Sequence, residues 1–172
     1  MFTHYHFTQI DSTNALARKW IHSGSLQAQL PVFITADRQT KGQGTKGRTW
    51  ASDDIGGLYF SAILPESRFP VEEVTIVAQH IQTVVKRLAN IELEIEWPND
   101  LIFGDKKIAG ILLERVRPSI IVGIGLNINQ QQFPEFLAPV ATSLFQITGH
   151  TYSKTAFSLE LSKELWDEVS RH

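Results

Sequence analysis

Strands outnumber helices along this 172-residue chain, which predicts an α+β fold with a mixed, largely antiparallel β-sheet backed by helices. Three observations carry that prediction. Short β-branched and aromatic runs recur between turn signals. One hairpin is legible outright: Leu101-Ile-Phe103 and Lys107 to Val116 flank the turn Gly104-Asp105-Lys106. Helical periodicity is confined to three stretches.

In chain order, Phe2 to Phe7 reads as a short strand. Asp11-Ser12-Thr13 offers N-cap oxygens for a helix through about His22, with Leu16, Trp20 and Ile21 on one face. Pro31 to Ala36 is a strand entering a glycine-rich loop, and Leu58 to Leu64 is the strand that leaves it. Val74, Val77, Ala78, Ile81, Val84, Val85 and Leu88 follow helical spacing. Leu93 to Trp97 and Ser119 to Asn127 read as strands. Ser153 opens a last helix with Phe157, Leu161, Leu165 and Val169 along one stripe. The length suits one domain, residues 1–172.

Composition narrows the function classes. Net charge is -2, so there is no global basic field for nucleic acid. There is no cysteine, hence no disulfide framework and no thiol nucleophile. No apolar run is long enough to span a bilayer and the N-terminus lacks a signal-peptide pattern, which sets a cytoplasmic expectation. The six histidines show no metal spacing on a common element and read as structural or surface residues.

Two segments carry chemistry. Gln39 to Trp50 holds Gly42, Gly44 and Gly47 among Arg38, Lys41, Lys46 and Arg48. Glycines let backbone N–H groups approach an anion, and the cations favour phosphate or nucleotide. The dinucleotide fingerprint and the P-loop both need a helix directly after the loop. Here a polar turn and a strand follow, so the element is strand–loop–strand. In the second segment, Ile120, Val122, Ile124 and Leu126 alternate with Ile121, Gly123, Gly125 and Asn127. The second face becomes smooth and ends in an amide. Either a planar ligand lies on that floor or a helix packs tightly against it.

Four segments line up in order: Asp11-Ser-Thr-Asn14; Gln39 to Trp50; Trp97-Pro-Asn-Asp100 with Lys106-Lys-Ile-Ala-Gly-Ile-Leu-Leu-Glu114; and Gly123-Ile-Gly-Leu-Asn127. Together they resemble the catalytic domain of biotin protein ligases, over nearly the whole chain. The resemblance implies the biotin/lipoate ligase fold, related to class II aminoacyl-tRNA synthetases. It implies ATP, biotin and Mg²⁺, and a two-step reaction through biotinyl-5′-AMP to a lysine of a biotin carboxyl carrier domain. Two anions meet in the first step, so positive charge must lie between them.

On that resemblance Lys107 is the catalytic lysine, Arg48 holds phosphate, and Asp100 supports Mg²⁺ or orients Lys107. Trp50 stacks on adenine and Asn127 hydrogen-bonds it. Ser12, Thr13 and Gln39 take the ureido head of biotin, with the backbone of Gln43 and Gly110. Gly42, Gly44, Thr45 and Gly47 belong to a lid over the adenylate; Gly123 and Gly125 form the floor. By residue type alone, Lys107 also suits a surface hairpin, Trp50 a core, Asp100 a turn, and Ser12 and Thr13 a helix cap. In an ideal strand Lys107 and Gly110 face opposite ways, which calls for a bulge or for backbone-only use of Gly110.

Three departures stand out. Gln43 and Thr45 replace two arginines of the usual G-R-G-R-x-G-R loop, Glu96 replaces a lysine, and the chain stops near the end of the catalytic domain. A C-terminal β-barrel and an N-terminal DNA-binding region are expected to be absent. A lipoate–protein ligase and a non-catalytic module holding biotin or biotinyl-AMP are the competing readings. A homodimer through a sheet edge near Gly123 to Asn127 is the expectation for self-association; no nucleic acid or membrane partner is expected.

Overall fold

The structure is a computed structural model that describes residues 3–24, 30–69 and 73–171. Within these described residues seven strands form one sheet: β1 (Thr3–Ile10), β2 (Val32–Gln39), β3 (Gly57–Pro65), β4 (Glu94–Glu96), β5 (Asp100–Phe103), β6 (Lys106–Val116) and β7 (Ser119–Asn127). Their spatial order is β1-β2-β3-β7-β6-β5-β4. Only β1 and β2 pair in parallel; every other neighbour is antiparallel. Phe2, expected to open the first strand, lies outside the described residues.

Among the described residues four α-helices flank the sheet: α1 (Thr13–His22), α2 (Glu73–Ala89), α3 (Leu144–Thr148) and α4 (Lys154–Arg171). The alternation of apolar residues decides which face each covers. Phe33, Phe60, Ala62 and Leu64 turn toward α2 and α4, meeting Val77, Ile81, Val84, Phe157, Leu161 and Leu165. Ile120, Val122, Ile124 and Leu126 join that core. Val32, Ile34, Ile63 and Ile121 turn the other way onto Ala17 of α1. Each fully buried Ile or Leu is worth about 1.5–3 kcal/mol relative to exposure, so the larger cluster dominates stability.

The single helix α1 covers one part of its face and leaves the rest open for a cleft. Ser12 caps α1, its Oγ accepting from the backbone N–H of Ala15 at 3.3 Å. Lys106 belongs to β6, so the expected three-residue turn contracts to Gly104-Asp105, with Gly104 at φ +62°. The short helix α3 has no strong sequence periodicity; Ser143 caps it and Gly149 ends it at φ +73°. α2 and α4 are joined by ion pairs of Arg87 with Glu160 and Glu164, and His80 lies 3.3 Å from both Glu164 and Glu168.

One expectation is overturned. β7 is flanked by β3 on one side and β6 on the other, so Gly123 to Asn127 offers no free edge for a second subunit. The unpaired edges of the described sheet belong to β1 and β4. Glu96 lies on β4, exposed and paired with Asp100.

Candidate active site

Strand register lays out the site. Tyr59, Gly125, Gly110 and Asp100 pair successively across β3, β7, β6 and β5, forming one row over the open face. Residues paired directly opposite in antiparallel strands share a face. The next row is Ser61, Gly123 and Leu112. Trp50 lies flat on the first row. A Cβ on Gly125 would come within 2.4 Å of its indole, and one on Gly110 within 2.8 Å. Asn14 of α1 occupies the second row, 2.5 Å from a Cβ on Gly123. The two glycines of β7 therefore do different jobs: Gly123 admits a helix side chain, and Gly125 admits the aromatic wall of the cleft.

Lys107 reaches the same row because the strand is irregular. Ile102 pairs with Lys107 but Leu101 pairs with Ala109, so Ile108 is the extra residue of a bulge. The bulge lets Lys107 share a face with Gly110, whose added Cβ would sit 3.3 Å from Lys107 Cε. Lys107 Nζ then lies 2.8 Å from Asp100 Oδ1 and 5.1 Å from the centre of the Trp50 ring. Asn99 Nδ2 also donates to Asp100 Oδ1, at 3.2 Å. Both bonds fall on one oxygen of Asp100. Lysine, carboxylate and indole thus form one preorganised cation site at the cleft wall.

The opposite end of the cleft is a buried polar nest. Gln39 Oε1 accepts from the Thr13 backbone N–H at 2.7 Å and from Thr13 Oγ1 at 3.1 Å, while Gln39 Nε2 donates to Ser52 Oγ at 3.2 Å. Ser61 Oγ lies 2.7 Å from Thr13 Oγ1 and 2.5 Å from Asn14 Oδ1. Burying such groups is costly unless each is paired, and here each is held by a neighbour. Ser12, Thr13, Gln39 and Asn14 all line the cleft. Ser12 serves as both cap and wall.

Over the cleft runs the glycine loop. No helix follows it; a single 3₁₀ turn at Thr45–Gly47 leads by an irregular stretch into β3, as the strand–loop–strand reading requires. Gly42 is indispensable there, because a Cβ would strike Ser52 Oγ at 2.2 Å and the Trp50 carbonyl at 2.3 Å. Gly47 takes φ +72°. Gly44 N–H donates to the Arg48 carbonyl at 2.7 Å, and Trp50 N–H to the Gly42 carbonyl at 3.0 Å. Arg48 is exposed at the cleft rim, its guanidinium donating to Thr45 Oγ1 at 3.2 Å.

A segment that the sequence reading passed over closes the other side. Phe133, Pro134, Leu137 and Val140 line the cleft, and the segment is fastened to β6 through Lys107 itself. Lys107 N–H donates to the Val140 carbonyl at 2.8 Å, and Thr142 N–H to the Lys107 carbonyl at 2.9 Å. Asn127 is buried at the cleft end, where its Oδ1 accepts from Gln130 Nε2 at 3.0 Å. Gln130 Oε1 and Trp50 Nε1 are buried without a partner. A cleft wall that keeps an unpaired carbonyl and an unpaired N–H is suited to a ligand bearing both donors and acceptors. Tyr59 donates to the Asp54 carbonyl at 2.6 Å, and burial, with Asp54 and Asp53 nearby, pushes its phenol well above the usual range. It acts as a neutral donor. The cleft encloses about 230 Å³.

A glycine-floored cleft with a lysine–aspartate pair at one end and a polar nest at the other now has a counterpart among known proteins. Residues 6–130 match the model of the biotin/lipoate A/B protein ligase family. The chain belongs to that family. Among curated relatives, the bifunctional ligase/repressor BirA of Bacillus spizizenii is 36% identical over 152 residues, covering 81% of this chain and 45% of the relative. A biotin–acetyl-CoA-carboxylase ligase of Mycobacterium tuberculosis is 30% identical over 141 residues, covering 78% of this chain and 52% of the relative. The chain thus spans about half the length of these curated relatives. The Aquifex aeolicus biotin protein ligase in complex with biotin and ATP superposes with a TM-score of 0.88 at 31% identity, covering 99% of this chain and 72% of that one. The Leishmania major biotin protein ligase in complex with biotinyl-5-AMP gives 0.81 at 25% identity, covering 99% and 75%.

For a member of the biotin/lipoate ligase family, the sequence reading brings together most of what it named. Ser12, Thr13, Gln39, Gln43, Gly44, Thr45, Arg48, Trp50, Lys107, Gly110, Gly123, Gly125 and Asn127 all line one cleft. Asp100 joins through Lys107. Gly42 and Gly47 shape the loop from outside the wall. It missed Asn14, Asn99 and Gln130 as wall residues and the apolar turn near Leu137. Asn14 and Asn99 both sat inside quoted motifs, and that membership was the available signal. Gln130 and the Leu137 turn carried none. His4 and His6 share Thr35 Oγ1, and the described residues hold no cluster of three or more metal-ligating side chains. No described helix is long and apolar enough to cross a membrane.

Proposed function

We propose that the chain is the catalytic domain of a biotin protein ligase, activating biotin with ATP and passing it to a lysine of a biotin carboxyl carrier domain. The observation that carries this reading is Lys107 held by Asp100 over the Gly110/Gly125 floor, with the Thr13–Gln39 nest at the far end of the same cleft. Biotin has a polar ureido head, an apolar tail and a carboxylate. The cleft offers a polar nest, a glycine and indole floor, and a cation in that order.

In the first step a carboxylate oxygen attacks the α-phosphorus. The new P–O bond forms as the bond to the β-phosphate oxygen breaks, and pyrophosphate leaves with the electron pair. Lys107 sits where the two anions converge and offsets their repulsion. Asp100 aims that ammonium. Arg48, released from Thr45, meets the phosphates at the rim. In the second step the carrier amine attacks the anhydride carbonyl, loses a proton, and AMP leaves. The lid residues and the Leu137 turn exclude water from the anhydride.

Mg²⁺ fits as a nucleotide-borne ion. It retains phosphate and water oxygens and needs few protein carboxylates. Asp100 Oδ2, the oxygen not engaged by Lys107 and Asn99, would hold it, and Mg²⁺ would supply charge neutralisation at the phosphates.

The test is biotin-dependent pyrophosphate exchange, with mass spectrometry of the chain after incubation with biotin and MgATP, and lipoate in a parallel arm. Biotinyl-5′-AMP on the protein is the expected result. Exchange with lipoate alone would move the assignment to lipoate ligation. Biotin binding with neither adenylate nor pyrophosphate would leave a binding module.

A further inference from the structure

Arg18 belongs to no motif, yet it stands between the glycine loop and the sheet. Its Nη1 donates to Glu114 Oε2 on β6, and its Nη2 donates to Gln43 Oε1 in the loop at 3.0 Å. Glu114 is itself fixed, because its Oε1 accepts from Asn14 Nδ2 at 2.8 Å, and Asn14 is clamped onto Gly123 and Ser61. One guanidinium therefore links α1, β6 and the loop. A planar fork with several donors can hold two acceptors at once, which a lysine cannot do with the same geometry.

We propose that Arg18 is a positioning residue that latches the glycine loop over the cleft through Gln43. The loop has few other tethers from its side chains: Arg48 turns back on Thr45, and Lys41 pairs with Asp11 at 3.3 Å before the first glycine. The Arg18–Gln43 bond therefore joins the middle of the loop to a rigid support. The support runs through Glu114 to Asn14, which lines the polar end of the cleft, so occupancy of that end and closure of the loop share one scaffold. For the reaction, which rests on the ligase reading, the latch lengthens the time that an adenylate stays enclosed.

The test compares the full chain with Arg18→Ala, Gln43→Ala and the double variant. Gln43→Ala leaves the Arg18–Glu114 pair intact, so it separates loss of the latch from loss of fold stability. In the ligand-free protein, hydrogen exchange at the Gly44, Arg48 and Trp50 amides should accelerate about two- to tenfold in each single variant, the range for one hydrogen bond. The double variant should be no faster than either single one, since both remove the same bond. Gln43→Glu, which turns the contact into an ion pair, should slow exchange only when Arg18 is present. Wild-type exchange in Arg18→Ala, or multiplicative effects in the double variant, would overturn the latch. Dissociation of biotinyl-5′-AMP should quicken by a similar factor in both single variants, and unchanged release despite a loosened loop would refute the positioning role. If the wild-type chain does not retain biotinyl-5′-AMP at all, the ligase reading fails, and the exchange data alone decide the latch.

Discussion

Lys107 is the residue on which the proposed chemistry turns. It is about one-third exposed and paired at 2.8 Å with Asp100, so on the ligase reading its removal should cost the fold little and the reaction much. Lys107→Ala should lose about 2–4 kcal/mol of transition-state stabilisation, as for other preorganised electrostatic groups. Single-turnover adenylation, read beside a thermal melt, checks this; a normal rate in a well-folded variant would reject the role. Thr45 is the second test at this scale. It engages Arg48 through a hydroxyl but carries no charge of its own. By the resemblance a long cation belongs there, and a charge-assisted contact is worth about 1.5–3 kcal/mol. Thr45→Arg should therefore slow adenylate escape roughly tenfold or more and reduce stray labelling of a bystander protein's lysines. Equal dissociation rates would show that another residue fills the role. At this scale the charged and glycine positions were legible in the sequence, because their types are unusual at their spacings. Arg18 and Glu114 were not, because each acts through a partner from a distant element, the two lying 96 residues apart.

Strand β7 shows what an element's pattern can and cannot tell. Its alternation correctly separated Ile120, Val122, Ile124 and Leu126 from Ile121, Gly123, Gly125 and Asn127. The occupant of each glycine depended on tertiary packing, and Asn14 and Trp50 come from other segments. The strand's place in the middle of the sheet was equally invisible, since pairing order is a property of the whole chain. The bulge at Ile108 is an intermediate case: the opposed needs of Lys107 and Gly110 called for it, and the register supplies it. Gly125→Ala should push the Trp50 ring off the floor, because the new Cβ would lie 2.4 Å from it. A cost of about 1–3 kcal/mol is expected for such overpacking. It should fall on both thermal stability and affinity for biotinyl-5′-AMP, measured by calorimetry on one preparation; affinity as in wild type would argue against the floor assignment.

For the molecule as a whole, acid sensitivity has a traceable source. Burial, with His6 nearby, lowers His4 below its ordinary value of 6.5. His4 faces Thr35 from β2 and Ser158 from α4, and Asp37 lies against His6. The unfolded chain binds the proton first, so stability is fully present above about pH 6.5 and declines as pH falls toward the lower folded value. Melting curves of wild type and His4→Gln between about pH 5 and 7.5 should show a shallower acid-side decline in the variant. Identical pH slopes would place the sensitivity elsewhere.

The position of β7 also bears on how the chain comes off the ribosome. β7 is the last strand in sequence but lies between β3 and β6. Until Ser119 to Asn127 emerges, β3 and β6 each present an unsatisfied edge, and the apolar rows at Phe60 to Leu64 and Ala109 to Ile111 lack their neighbour. Open edges of this kind invite pairing with other chains. Tyr59, Gly110 and Asp100 likewise fall into one row only when Gly125 is between them. A nascent chain short of this strand therefore lacks the row that the proposed site needs and is exposed to misassociation, and a single insertion event ends both conditions together.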